Sequence, residues 1–477
     1  MQHPVLYTAV PVGAPVPVLA RLFGTNGIRE VVGSTLTAPF VTRVAGAIAA
    51  MVPVGLPIVV GWDGRTSSPA FSRIVSATLA LAGHSVVEVG LLPTPAVQFL
   101  VPRHHASLGV IVTASHNPPE FNGIKVIAAD GLEATREFEE GIEEGVERSV
   151  TPASPYSAVG EIATDPSGAA QYVDAIVHRV DADRIAARKF TIVLDCGNGA
   201  SVATSPALLR RLGCRVISLN GVVDGTFPGH LSEPTPANLV DLTRVVPAVG
   251  ADLGIAHDGD ADRAIFVDAT GRYVPGEETL TLLARDAVER AHGGVVVTPV
   301  SGTQAVEDAV RPLGGSVEYT RIGSPAVTHA MQERKAVFGG EENGGLIFPA
   351  HQLARDGAMT AAAVLDLLAR RGAGLGDVLA ELPHYTLVKE KIACPAELRE
   401  RVMERAAAAL SRDSERVVTL DGVKAYREGG WILLRPSGTE PLFRVFAESK
   451  EPERARGLAR EGVALLRRSI EGSGSGA

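Results

Sequence analysis

Cysteine is scarce in this chain: Cys196, Cys214 and Cys394 are the only three among 477 residues. Their small number and wide spacing exclude a disulfide framework and a cysteine-built zinc site, and point to a reducing compartment, the cytoplasm. An excess of basic charge is also missing. Lys and Arg number 45 against 54 Asp and Glu, a formal charge of −9. That argues against a nucleic-acid partner and requires any anionic ligand to find a local basic pocket. Uncharged runs are few and broken. Residues 2–20 carry Pro4, Pro11, Pro15 and Pro17 and no Lys or Arg, so they fail as a signal peptide. Residues 44–62 hold no charge, yet Pro53, Gly55 and Pro57 divide them into a helix end, a turn and a buried strand, not a membrane span.

What is present is ordinary globular material, 45% hydrophobic and 21% charged, enough for roughly three domains at about 150 residues each. Apolar β-rich runs alternate with helical patterns. Strands are expected at 57–60, 85–89 and 108–113 with a helix at 68–82, and the alternation returns at 191–218 and 294–320. Such units build mostly parallel sheets covered by helices. No residue-level repeat links the three blocks. After the Gly-rich stretch 371–376 the pattern changes to strand, helix, two or three strands and a charged helix at 451–469, a smaller α+β unit. Residues 1–19 read as a detached extension and 472–477, GSGSGA, as a flexible tail.

Four segments carry chemistry. In 113–125, TASHNPPEFNGIK, a buried strand runs into a loop holding Ser115, His116 and Asn117, where Ser115 is either a nucleophile or a turn cap. No Gly stands two residues to either side of Ser115, so the α/β-hydrolase elbow is excluded. In 258–263, DGDADR, Asp258, Asp260 and Asp262 share one face of an extended chain and repel unless a cation lies among them. Hard oxygen ligands suit Mg²⁺ or Ca²⁺. An EF-hand is excluded because Arg263 and Ala269 stand where its Gly and Glu belong. In 435–444, RPSGTEPLFR, Arg435 and Arg444 flank Ser437, Gly438 and Thr439, the composition of an anion cradle or of a plain hairpin turn. In 339–348, GGEENGGLIF, glycines surround Glu341, Glu342 and Asn343, acceptors and donors suited to a polyhydroxyl ligand. Arg29 and Arg65, beside glycines and hydroxyls, either line a phosphate site or pack a turn.

In this order and spacing the segments resemble the α-D-phosphohexomutase family, from about residue 22 to 466. The resemblance implies three similar mixed α/β domains and a C-terminal α+β domain around one cleft, here 20–158, 159–273, 274–375 and 380–471. It implies a reactive phosphate on Ser115 and one Mg²⁺ held by Asp258, Asp260 and Asp262 beside that phosphate. Glu341 and Asn343 take the sugar, and Arg435, Ser437, Gly438, Thr439 and Arg444 the substrate phosphate. Phosphorylated Ser115 then interconverts hexose 6-phosphate and hexose 1-phosphate through a hexose 1,6-bisphosphate, which is also the activator. Arg29, Lys125 and Arg263 supply positive charge, and His116 and Lys125 are candidate proton-transfer groups. The Glu-Glu-Asn-Gly-Gly loop resembles the archaeal phosphoglucosamine mutase type, with broad-range phosphomannomutase/phosphoglucomutase and a catalytically silent sugar-phosphate binder as alternatives. Two departures bear on substrate range: Glu30 stands where Gly usually follows FGTNGIR, and Ser324 stands where the family commonly shows Asp or a similar polar residue. Monomer and homo-oligomer are left open.

Overall fold

The computed structural model describes residues 21–474 apart from 25, 413 and 438–441. The expected extension lies outside the described residues, as do 475–477. The final helix, Pro452–Gly474, continues into the segment read as a tail.

Three sheets repeat one plan that the residues themselves do not repeat. In the first, Val86–Leu91, Ile58–Trp62 and Leu108–Val112 lie parallel in that spatial order, and Phe121–Ala128 returns antiparallel. The second sets Arg215–Leu219, Thr191–Asp195 and Leu253–His257 in parallel, followed by antiparallel Ala264–Asp268. The third does the same with Gly315–Thr320, Gly294–Pro299, Phe338–Gly340 and antiparallel Leu346–Phe348. Each third strand therefore ends in a hairpin at the carboxyl edge of the parallel strands, the edge where open α/β sheets collect their ligands. The three hairpins are 113–120, 258–263 and 341–345, the same segments that stood out in the sequence.

Helices on both faces bury these strands completely, so Leu108–Val112 and Leu253–His257 read as unbroken apolar runs instead of alternating ones. One apolar cluster runs through all three sheets, taking in Val59, Phe99, Ile192, Leu253, Phe338 and Leu365. The expected helix at 68–82 is Ser68–Leu81, opened by a Pro in its first turn where the missing N–H costs nothing. Residues 44–62 are the end of helix Ala38–Met51, a turn and the buried strand Ile58–Trp62. Among the described residues no helix is long and apolar enough to cross a membrane.

The fourth sheet is different: five strands, all antiparallel, in the order Thr386–Ala393, Leu442–Ser449, Gly430–Pro436, Val423–Arg427, Arg416–Val418. The sequence pattern undercounted them because Arg416–Val418 is too short to show alternation. Helices Arg399–Arg412 and Pro452–Gly474 cover one face and close a separate core around Val402, Ile432, Val445 and Leu458. A small cluster of Val300, Trp431, Leu433 and Phe446 joins this unit to the third sheet.

Candidate active site

Two of the equivalent hairpins meet tip to tip. Ser115 is buried and sits in the left-handed region at φ 51°, and Ala261 in the carboxylate hairpin does so at φ 57°. Backbone strain of this kind persists only where neighbours hold it. Thr113 Oγ1 accepts from Ser115 N at 2.9 Å. Arg65 supplies the rest. Its guanidinium donates to Ser115 O (2.8 Å), Asn117 O (2.6 Å), Pro118 O (2.6 Å), Phe121 O (2.8 Å) and the Asp63 carboxylate (3.1 Å). All five N–H groups are consumed within the turn, so of the two roles open to Arg65 in the sequence, packing the turn is the one the structure shows. The two hairpins approach so closely that a Cβ on Gly259 would stand 2.6 Å from Ser115 O; only glycine fits there.

Asp258, Asp260 and Asp262 converge, with one oxygen from each lying within 4.8 Å of the others. Asp258 Oδ2 accepts from Ser115 Oγ at 3.2 Å, and Asp258 Oδ1 from Arg263 N at 3.2 Å. Asp260 Oδ2 accepts from Lys125 Nζ at 2.8 Å and from Thr94 Oγ1 at 2.7 Å. Asp262 Oδ2 accepts from Arg355 at 2.6 Å. Arg263 completes the set, its Nε 3.7 Å from both Asp258 and Asp262. Burial, together with Asp262 and Asp260, drives the Asp258 carboxyl well above the ordinary range. Burial pushes Asp260 the same way, but Lys125 and the Thr94 hydrogen bond outweigh it and hold that carboxyl low. The buried oxygens Asp260 Oδ1 and Asp262 Oδ1 have no hydrogen-bond partner. Orphaned carboxylate oxygens facing one another are what a hard divalent cation satisfies, so the donor set fits Mg²⁺.

His116 Nδ1 lies 3.3 Å from Ser115 Oγ and 3.1 Å from an Arg263 nitrogen. Guanidinium only donates, so Nδ1 is the acceptor and the ring proton is assigned to Nε2. Burial, with Arg263 and Arg29 close by, keeps this imidazole neutral, far below its usual pKa. Arg29 donates to Asn117 Oδ1 at 3.1 Å and keeps a buried Nε without a partner; burial lowers its pKa.

The third hairpin joins this pair through a residue the sequence reading passed over. Arg355 donates to Glu341 Oε2 at 2.7 Å as well as to Asp262, and so ties the glutamate hairpin to the carboxylate hairpin. Burial raises the Glu341 pKa, with Arg355 opposing it. Asn343 Oδ1 accepts from Gly345 N at 3.1 Å, a bond internal to its own turn. The available signal for Arg355 was an arginine ending strand Gln352–Arg355, just before Asp356, which caps helix Gly357–Arg371. Asn26, Glu133 and Ser324 were also missed as a group. Ser324 Oγ donates to Glu133 Oε2 at 2.6 Å, Asn26 Nδ2 donates to Ser324 Oγ at 3.0 Å, and Asn26 also bonds Glu133. This buried bridge joins the first unit to the third.

In the fourth unit Arg435 and Arg444 are partners across strands Gly430–Pro436 and Leu442–Ser449. Asp421 pairs with Arg435 at 2.9 Å and accepts from Ile322 N at 3.0 Å, which ties this pair of strands to the third unit. Ser437 is buried, and its N–H donates to Leu442 O at 2.9 Å. Gly438 and Thr439 lie outside the described residues.

A hydroxyl set against three carboxylates, with buried arginines and a lysine around them, is the equipment of an enzyme that moves a phosphoryl group. The family models agree along the chain. Residues 20–152, 170–271 and 275–385 match the phosphoglucomutase/phosphomannomutase alpha/beta/alpha domains I, II and III, and 392–465 match the C-terminal domain of the same family. The chain belongs to the phosphoglucomutase/phosphomannomutase family, and is thereby an isomerase, an intramolecular phosphotransferase. It is 40% identical over 453 residues to a probable phosphoglucosamine mutase of Methanopyrus kandleri, covering 95% of this chain and 99% of that one. It is 36% identical over 461 residues to a phosphoglucomutase/phosphomannomutase of Thermococcus kodakarensis, with 95% and 100% covered. Among solved structures, a phosphoglucomutase/phosphomannomutase family protein of Burkholderia thailandensis superposes with a TM-score of 0.83 at 27% identity, covering 95% and 98% of the two chains.

Proposed function

We propose that the protein interconverts the 6- and 1-phosphates of a hexosamine, glucosamine phosphate first, by passing a phosphoryl group through Ser115 and a 1,6-bisphosphate. The observation that carries this reading is the Ser115 Oγ–Asp258 Oδ2 contact of 3.2 Å at the meeting of two hairpins. A serine hydroxyl has one proton. With Arg263 occupying His116 Nδ1, Asp258 is its better-placed acceptor. Three carboxylates are matched by three cations, Lys125, Arg263 and Arg355. A bound Mg²⁺ therefore needs a further dianion for balance, and a phosphoryl group on Ser115 supplies one.

Asp258, Asp260 and Asp262 would hold Mg²⁺, whose chemistry is to neutralise charge on the transferring group. The chain's own residues do the rest. Lys125 and Arg263 hold the carboxylates in place, and Arg29 presents a guanidinium N–H with no partner to the phosphoryl oxygens. Glu341 orients the sugar while Arg355 links that orientation to the metal loop. Arg435, Ser437, Gly438, Thr439 and Arg444 take the phosphate that stays on the substrate. His116, a neutral ring, accepts hydrogen bonds and does not serve as a cationic acid.

The Methanopyrus kandleri relative supports glucosamine phosphate. The Thermococcus kodakarensis relative, whose printed name is phosphoglucomutase/phosphomannomutase, supports a broader sugar range as the second reading. Comparing kcat/KM for glucosamine, glucose and mannose 6-phosphates decides between them: the first reading requires glucosamine to lead. Intact-mass analysis after incubation with a hexose 1,6-bisphosphate tests the phosphoenzyme. One phosphate is expected, mapping to Ser115 and lost in Ser115→Ala; full turnover in that variant refutes the scheme.

A further inference from the structure

Away from the cleft lies a cavity of about 370 Å³ lined by Phe99, Arg103, Ala175, His178, Arg179 and His351. It opens where the ends of helices Thr94–Arg103 and Gly168–Val177 meet the turn that precedes strand Gln352–Arg355. Its volume is within the range of small-molecule sites. Four of its six lining residues are basic and none is acidic.

Two features separate it from an ordinary surface depression. Among the described residues Arg103 and Arg179 form no ion pair with a carboxylate. Arg103 lies over the Phe99 ring with its guanidinium carbon 3.5 Å from the centroid, and Arg179 adds like charge that, after burial, lowers its pKa. Two adjacent guanidiniums at the mouth of one concavity leave it with positive charge that an anion can take up. The helix C-termini favour cations here by about 0.3–1 kcal/mol each, which explains why basic residues are tolerated at these positions but not why they share one concavity. The second feature is His351. Its side chain is 1% exposed; Nε2 pairs with Asp356, whereas Nδ1 has no partner. Nε2 stands 3.4 Å from Asp356 Oδ2, whose carboxylate already accepts from Tyr172 Oη (2.6 Å), Gln352 Nε2 (2.9 Å) and Met359 N (2.8 Å). A buried ring nitrogen without a partner at a cavity wall, here Nδ1, can take one from a ligand.

We infer that this cavity is a second anion site, separate from the catalytic cleft, for a small phosphate monoester: Arg103 and Arg179 bind the phosphate and His351 donates to it from the wall. The strand that begins beside His351 ends at Arg355, which bonds Asp262 and Glu341, so the site abuts the support of the catalytic loops.

The test uses inorganic phosphate as the probe in magnesium-free calorimetry on the full chain. Wild type is expected to bind two phosphates, one in the cleft and one in the cavity. R103A/R179A should bind one, or bind the second at least tenfold more weakly, while mutase turnover without added phosphate stays at the wild-type value. His351→Asn, which keeps the packing but moves the donor, should weaken the second site alone. A single phosphate in wild type, or unchanged two-site binding in R103A/R179A, overturns the inference. Both arginines are exposed, so the double variant is expected to fold, and an unchanged Tm confirms that it does.

Discussion

Replacing Asp258 by Asn separates what the three-carboxylate hairpin does for stability from what it does for catalysis. The residue is buried and its oxygens lie within 4.8 Å of those of Asp260 and Asp262. At that separation and an effective dielectric of about 20, each carboxylate pair repels by about 3.5 kcal/mol, about 7 kcal/mol for the two pairs Asp258 makes. Its attraction to Arg263 at 3.7 Å is worth about 4.5 kcal/mol on the same scale. An amide keeps the shape and can still accept from Arg263 N, so metal-free Asp258→Asn should be more stable than wild type by up to about 2 kcal/mol, and by less where wild type relieves the repulsion by protonating Asp258. Mg²⁺ should reverse the order. At 100 times its Kd a ligand of the native state adds about 2.7 kcal/mol, a gain open to wild type and closed to a variant missing one ligand. Differential scanning fluorimetry in EDTA and in Mg²⁺ reads both halves, and turnover should fall at least 100-fold. A variant that melts below wild type in EDTA, or that keeps the Mg²⁺ shift, refutes the cation site.

Arg355→Met strands Asp262 and Glu341 without their shared cation; the expected loss is about 3–5 kcal/mol of stability, with kcat/KM falling on every sugar phosphate, and an unchanged Tm would show the bridge to be idle. Arg65→Lys cannot reach the five acceptors that the guanidinium serves, each left carbonyl costing about 1–3 kcal/mol; the variant should melt earlier and lose phosphorylation of Ser115, and wild-type phosphorylation in it refutes the clamp. Lys424 Nζ, enclosed by Trp431 at 3.8 Å and bonded to Val300 O and Gly302 O, is held down to about 7 by burial. Between pH 7 and the ordinary lysine value the unfolded chain binds a proton that the native one does not, so stability rises with pH across that window; Lys424→Met should flatten the rise, and an equal slope in the variant refutes the assignment.

The reaction class was legible because its residues are local. TASHNP, DGDADR and GGEENGG are each contiguous, and each carries its functional groups at the end of a buried strand whose apolar run marks where the loop begins. The strands themselves appeared to within a residue or two: 108–113 is Leu108–Val112. What was not legible is what acts across sequence distance. Arg355 touches Asp262 from 93 positions away and Ser324 reaches Glu133 from 191; no local pattern distinguishes an arginine that will bridge two loops from one that will be solvated. Arg65 shows the converse, a residue whose type suggested phosphate but whose donors are all spent on four backbone carbonyls and the Asp63 carboxylate.

The structural repeat gives the site its logic. Three sheets with the same strand order place three hairpins at one edge, so one position of the plan presents Ser115 in the first, the three aspartates in the second and Glu341 with Asn343 in the third. Nothing in the side chains had to be shared for this to work, which is why no residue repeat is visible. Position alone brings the tips together, and close approach then constrains what each tip can be: glycine at 259 because Ser115 O occupies the space of a Cβ, and a buried arginine at 355 because two anionic tips cannot otherwise be held side by side. The fourth unit stands outside this repeat. It has its own core and joins the third through the cluster of Val300, Trp431, Leu433 and Phe446, through Lys424, and through the Asp421–Ile322, Glu448–Gln304 and Lys450–Asp308 contacts. Under the proposed reaction the substrate presents first one phosphate and then the other to Ser115, so whatever holds the far phosphate must accept either end.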